Sequence, residues 1–147
     1  MSKHILTAYV DGSYNTKLER YGYGVVLLTP EGEEMTLSGS GNNPETLAIH
    51  NVAGEMLAAM HAVSWAKKHG YAAIRICYDY SGIEMWATGA WKRKNPLTAK
   101  YHEYMKESMK TVRISFEKVE AHTGVTYNEM ADKLAKEAIL KDAEEKE

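Results

Sequence analysis

The apolar residues of this chain change period near His50, and that change restricts the folds open to it. Before it, Ile5 to Val10 and "YGYGVVLLTP" read as strands, the second stopped by Pro30. Glu31 and Gly32 are turn-like, and "EEMTLSGSG" returns as a third strand. Three successive strands on short connections predict an antiparallel meander. The link from Gly12 to Arg20 is longer and polar, and is expected to be a loop with room for function. From about His50 to His69 the apolar residues recur at helical spacing, until Gly70 stops the run. "AAIRICY" is then a short apolar strand, and a strand after a helix joins its sheet in parallel as a rule. Ser81 to about Gly89 reads as a short helix, and Pro96 fits the first turn of another running to about Lys110. "VRISFEKV" alternates as a strand does, and "NEMADKLAKEAILKDAEE" closes the chain as a helix. The order implies an α/β chain with one mixed sheet.

Acidic residues sit at awkward points of that pattern. Asp11 ends the run Ile5 to Val10, and Asp79 ends the run Ala73 to Tyr78. Glu55 lies within "NVAGEMLAAMHAV", with Val52, Ala58, Ala59 and Ala62 at helical offsets around it, so it shares their apolar face. An unpaired carboxylate on a buried face costs several kcal/mol in desolvation, so it needs a partner. A divalent metal ion is a common partner for clustered acids. The plainer alternatives are turn or cap aspartates at Asp11 and Asp79, and a satisfied buried glutamate at Glu55. Asp132, beside Lys133 and Lys136 in the last helix, reads by itself as a solvated acid.

Bulk properties exclude several classes. At 147 residues, 44% hydrophobic and 26% charged, the chain has the composition of one globular domain, expected to span 1–147. No apolar run approaches the roughly 20 residues that cross a bilayer, and "MSKHILTAYVDGS" has no signal-peptide layout; a cytoplasmic address without membrane contact is expected. A single cysteine, Cys77, excludes an internal disulfide and a cysteine zinc site, and its apolar strand predicts a small core residue. Net charge is −2, but the last eleven residues, from Glu137, hold five acids and two lysines, so the remainder sums to +1. That charged tail, 137–147, is expected to be a solvated helix end. "WKRKNPLTAK" carries four positive charges and no negative one, which makes it the candidate surface for phosphate.

The elements and the acids on them resemble the type 1 ribonuclease H family. The matching segments are "YVDGSY" at Asp11, "NVAGEMLAAMHAV" at Glu55, "ICYDYSGIEMWATGAW" at Asp79, and "VEAHTGVTYNEMADKLAKEA" with His122 and Asp132, in the family's order. The resemblance implies a ribonuclease H-like fold: a five-stranded mixed sheet, its first three strands antiparallel, flanked by helices. It implies a metal-dependent endonuclease that cuts the RNA strand of RNA/DNA hybrids and leaves 5′-phosphate and 3′-hydroxyl ends; a monomer is expected. Two Mg2+ ions per site, with Mn2+ as a substitute, would activate water and relieve charge on the leaving oxygen. By resemblance Asp11 bridges the ions, Glu55 and Asp79 hold one, and Asp132 helps hold the other. His122 moves protons without ligating metal. Gly12, Ser13 and Asn51 are implied substrate contacts. Lys92, Arg93 and Lys94 would grip phosphates, with Trp91 packing on sugar. Trp86 is expected in the core.

The chain also departs from the family. It has "YNTKLERYG" in place of a glycine- and proline-rich turn, Tyr78 and Tyr80 in place of a Thr-Asp-Ser setting, and a shortened basic segment. Whether the two tyrosines touch substrate is open at this point. The rival readings are a same-fold nuclease acting on DNA or structured RNA, and a non-catalytic nucleic-acid-binding module.

Overall fold

A computed structural model of the chain describes residues 5–42, 50–119 and 126–145, apart from the side chains at 50, 51, 126 and 143–145. Its strands are β1 (Ile5–Asn15), β2 (Arg20–Leu28), β3 (Glu34–Gly41), β4 (Ala73–Tyr78) and β5 (Arg113–Lys118). Its helices are α1 (His50–Lys68), α2 (Gly82–Thr88), α3 (Pro96–Ser108) and α4 (Thr126–Glu145). The sheet order is β3-β2-β1-β4-β5. β1, β2 and β3 pair antiparallel, and β4 pairs in parallel with both β1 and β5. The expected mixed sheet is therefore present, with its antiparallel meander intact.

One expectation fails at the first connection. The polar residues from Gly12 to Asn15 continue β1, paired from Gly12↔Tyr23 to Asn15↔Arg20. A backbone ladder is indifferent to side-chain polarity, so the end of the apolar run did not end the strand. The connection shrinks to residues 16–19, where Asn15 Oδ1 accepts the Leu18 N–H at 2.9 Å and Glu19 takes φ 51°. Asp11 accordingly lies inside a strand and does not cap one.

Alternation along the strands sorts the two faces. Leu6, Ala8 and Val10 of β1 join Val25, Leu27, Ile74 and Ile76 in a core with Ala53, Met56 and Ala59 of α1. Ile83 and Ala87 of α2, and Leu97, Tyr101 and Met105 of α3, complete that layer. α3 starts on a capping box at Asn95 with Pro96 beside it, and Gly89 ends α2 with φ 87°. The opposite face is covered by α4, which buries Ala131, Ala135, Ala138 and Ile139.

Glycines set how closely these layers approach. A Cβ on Gly24 would lie 2.1 Å from the Ala131 carbonyl oxygen, and one on Gly22 would lie 2.2 Å from that of Ala135. On the other face, a Cβ on Gly54 would meet the Gly22 carbonyl oxygen at 2.0 Å and Gly12 Cα at 2.9 Å. A glycine inside a helix costs about 1 kcal/mol in propensity; here it lets α1 ride directly on the backbone of β1 and β2. The next residue of that helix is Glu55.

α4 runs through the acidic stretch to Glu145 and is tied down near its end. Ser40 Oγ donates to Asp142 Oδ2 at 2.5 Å, and the buried Arg20 guanidinium donates to Ser40 Oγ at 3.1 and 3.3 Å. This clasp joins the last helix to the edge of β2 and β3.

Candidate active site

Parallel pairing of β1 with β4 brings the first two acids together. Tyr9 faces Cys77 in the register, so Asp11, two residues further along β1, comes level with Asp79, which follows the last residue of β4. Odd-numbered residues of β1 turn toward α4, and Asp11 is among them. Glu55 arrives from the other face, on α1. Its Oε2 accepts the backbone N–H of Asp79 at 2.9 Å and that of Tyr80 at 3.4 Å, just past the end of β4. Asp11, Glu55 and Asp79 each place a carboxylate oxygen within 4.8 Å of the others.

The cleft around them is lined by Asp11, Gly12, Val52, Glu55, Asp79, Tyr80 and Asp132, and holds about 290 Å³. A water occupies about 30 Å³ of liquid, so ions with part of their hydration fit. A larger hollow of about 630 Å³ lies by the opposite end of β4, at Ala72, but its one acid, Glu107, is paired with Lys110 at 3.1 Å. The chemistry belongs to the smaller cleft.

Its electrostatics are unfavourable without a cation. Burial first, then repulsion from Asp79, pushes the Asp11 carboxyl from 3.8 up to about 7, against the pull of the Gly12 N–H that donates to its Oδ1. Glu55 is raised well above the ordinary carboxylate range, again by burial first and Asp79 second. Two carboxyls that hold their protons more tightly than usual, beside a third, are the environment a divalent cation relieves. The donors are all hard oxygens, which suit Mg2+ and do not suit soft-ligand metals.

The fourth acid stands apart. Asp132 lines the cleft from α4, yet it is not among the three that close to 4.8 Å. Its Oδ2 pairs instead with Lys136 Nζ at 3.0 Å, one helical turn on. Gly12 is at the cleft, whereas Ser13 lines a neighbouring hollow with Tyr14, Asn15, Lys136, Ile139 and Leu140. Asn51 falls in the first turn of α1, beside the cleft residue Val52. The Asn51 side chain and all of His122 lie outside the described residues.

The basic segment follows α2, with Trp91, Lys92, Arg93 and Lys94 exposed. Arg93 folds back, donating to the Gly89 and Trp91 carbonyls at 3.4 and 3.3 Å. Trp86 is half-buried and packs edge-on against Trp91, with ring centroids 5.6 Å apart. Tyr80 spans the distance between cleft and basic segment: it lines the first and meets the Trp91 ring at 6.1 Å. Sequence reasoning left Tyr80 undecided, took Lys136 only as a charge near Asp132, and did not single out Asn128. Asn128 is buried, and its Oδ1 has no partner among the described residues. The readable hint was their offset of four on either side of Asp132, which places all three on one face of α4.

Comparison with known proteins agrees with this geometry. The family model described as RNase H matches residues 3–140. A ribonuclease H of Ehrlichia ruminantium is 30% identical over 142 residues, covering 92% of this chain and 95% of that protein. One from Cereibacter sphaeroides is 27% identical over 140 residues, covering 89% of this chain and 92% of that one. Among solved structures, RNase H1 of the halophilic archaeon Halobacterium salinarum superposes with a TM-score of 0.76 at 26% identity, over 94% of this chain and 98% of that one. An RNase H1 solved in complex with an RNA/DNA hybrid shares the fold, with a TM-score of 0.75 at 19% identity over 94% of this chain and 99% of that one. With the sheet order, the acids at the end of β4 and a match over nearly its whole length, the chain belongs to the ribonuclease H family.

Proposed function

We propose that this protein is a metal-dependent endonuclease that hydrolyses the RNA strand of RNA/DNA hybrids and leaves 5′-phosphate and 3′-hydroxyl ends. Residues 1–147 act as one ribonuclease H domain, as a monomer in the cytoplasm. The observation that carries the reading is the approach of Asp11, Glu55 and Asp79 to within 4.8 Å in a cleft that raises the proton affinity of two of them. Family membership and the hybrid held by a protein of the same fold support the choice of substrate.

The acids of the cleft would hold two divalent ions, Mg2+ with Mn2+ as substitute, which would lower the pKa of a water and offset charge on the leaving oxygen. Asp11, Glu55 and Asp79 would hold one ion, and Asp11 and Asp132 would hold the other. The chain's own contribution is rigid presentation. The backbone N–H groups of Asp79 and Tyr80 fix the Glu55 carboxylate, and the Gly12 N–H fixes that of Asp11. His122 is the proposed proton carrier.

Gly12, Ser13 and Asn51 are the proposed contacts near the scissile strand. Trp91, Lys92, Arg93 and Lys94 hold the other strand's sugars and phosphates, which positions the duplex without reading its sequence. A hybrid differs from duplex RNA in having 2′-hydroxyls on one strand only. The test is cleavage of end-labelled hybrid, duplex RNA, single-stranded RNA and duplex DNA, with Mg2+ and with chelator. Cutting confined to the RNA of the hybrid and abolished by chelator is expected. Equal cutting of duplex DNA refutes the assignment.

A further inference from the structure

The environment of Asp132 differs from that of the other three acids. Its Oδ2 is 3.0 Å from Lys136 Nζ, and the two side chains are 24% and 61% exposed. Lys136 also borders the hollow of about 300 Å³ formed with Ser13, Tyr14, Asn15, Ile139 and Leu140, where Ser13 follows the cleft residue Gly12 along β1. An ammonium on a flexible four-carbon stem therefore has a second place to go, still in water. A half-exposed ion pair of this kind is weak, so separating it costs little. Lys136 is also close enough to Asp11 for its charge to be felt there.

On the two-ion reading above, we propose that Lys136 is a tethered cation that competes with the second divalent ion for Asp132. In the metal-free protein it neutralises the one cleft acid that lies outside the tight trio. When the second ion binds, the ammonium withdraws toward the neighbouring hollow and Asp132 turns to the metal. The first ion, held by the trio, displaces no ammonium. The two sites therefore differ in affinity by design of α4, and the second fills only when Lys136 gives way. A point charge on a single stem suits this role better than an arginine, whose bidentate fork would hold the carboxylate more firmly.

Mn2+ binding to the whole chain, followed by calorimetry and by electron paramagnetic resonance of free Mn2+, tests the proposal apart from activity. The variants are Lys136→Met, Lys133→Met and Asp132→Asn. A unit charge within a few ångströms of a divalent ion in a wet cleft changes its affinity by about tenfold. Lys136→Met is expected to tighten the weaker Mn2+ site by about that factor and to leave the tighter one within about twofold. Lys133→Met, an exposed charge on the same helix, is expected to shift neither by more than about twofold. Asp132→Asn is expected to remove the weaker site. One bound Mn2+ in the natural protein and two in Lys136→Met also support the proposal. An unchanged or weakened second site in Lys136→Met, beside normal first-site binding, overturns it and leaves the nuclease reading standing. Equal effects of the two lysine variants overturn it as well, since they indicate a general field. Absence of any Mn2+ binding in the natural protein overturns the two-ion reading itself.

Discussion

Asp11→Asn should make the metal-free protein more stable while destroying its metal site. In the unfolded chain the Asp11 carboxyl titrates at 3.8, and in the folded cleft it holds its proton to about 7. Folding therefore favours the protonated form. The associated stability is fully present below pH 3.8, declines as pH rises, and is gone above about pH 7. Three pH units at about 1.4 kcal/mol each give roughly 4 kcal/mol as the upper bound on that loss. Relaxation of the cleft around the charge lowers the figure, so about 2 kcal/mol or more is expected at pH 8. Asparagine removes the charge and retains an oxygen for the Gly12 N–H that Asp11 Oδ1 accepts at 2.8 Å. Urea unfolding of both proteins in chelator, from pH 4 to pH 9, is the assay. The curves should coincide near pH 4 and diverge steadily to pH 8, the variant being the more stable. Saturating Mg2+ should then stabilise the natural protein, by about 2.7 kcal/mol at a hundred times the dissociation constant, and leave the variant nearly unmoved. A variant less stable than the natural protein at pH 8 in chelator would refute the account of a strained carboxylate.

Asp79→Asn should fold normally and lose cleavage by at least about a hundredfold, with circular dichroism and the end-labelled hybrid assay as the two readouts. Gly54→Ala forces α1 away from Gly22 and Gly12; it should cost about 1–3 kcal/mol and slow cleavage by displacing Glu55, whereas loss of stability at full activity would show that the helix spacing does not set the site. Asp142→Ala deprives the Arg20 guanidinium, 8% exposed, of its carboxylate and should lower the unfolding free energy by about 1–3 kcal/mol. The double variant Arg20→Met, Asp142→Leu should recover most of that loss, and failure to do so would show that the clasp is not the source.

Glu55 was legible from the chain because a carboxylate among Val52, Ala58, Ala59 and Ala62 contradicts its own helical face. Asp79 was legible as the residue after an apolar strand, and the meander as three period-two runs. These are local regularities, and local regularities survive in a one-dimensional string. The length of β1 was not legible: Gly12 to Asn15 are polar, and what makes them a strand is the backbone of β2 beside them. The same holds for Asp132. Nothing around it in the chain separates it from a solvated helix acid, and its membership of the cleft depends on glycines in β2 that let α4 settle against the sheet.

By itself, the sequence determined the fold class, the positions of Glu55, Asp79 and Asp132 on their elements and the hard-oxygen chemistry the acids offer, since periodicity and residue type are properties of the chain. Tertiary structure alone decided that three of those acids meet within 4.8 Å while the fourth faces a lysine. That decision rests on strand register and on the distance between layers. Both are set by contacts between residues far apart in the chain, which no local pattern encodes.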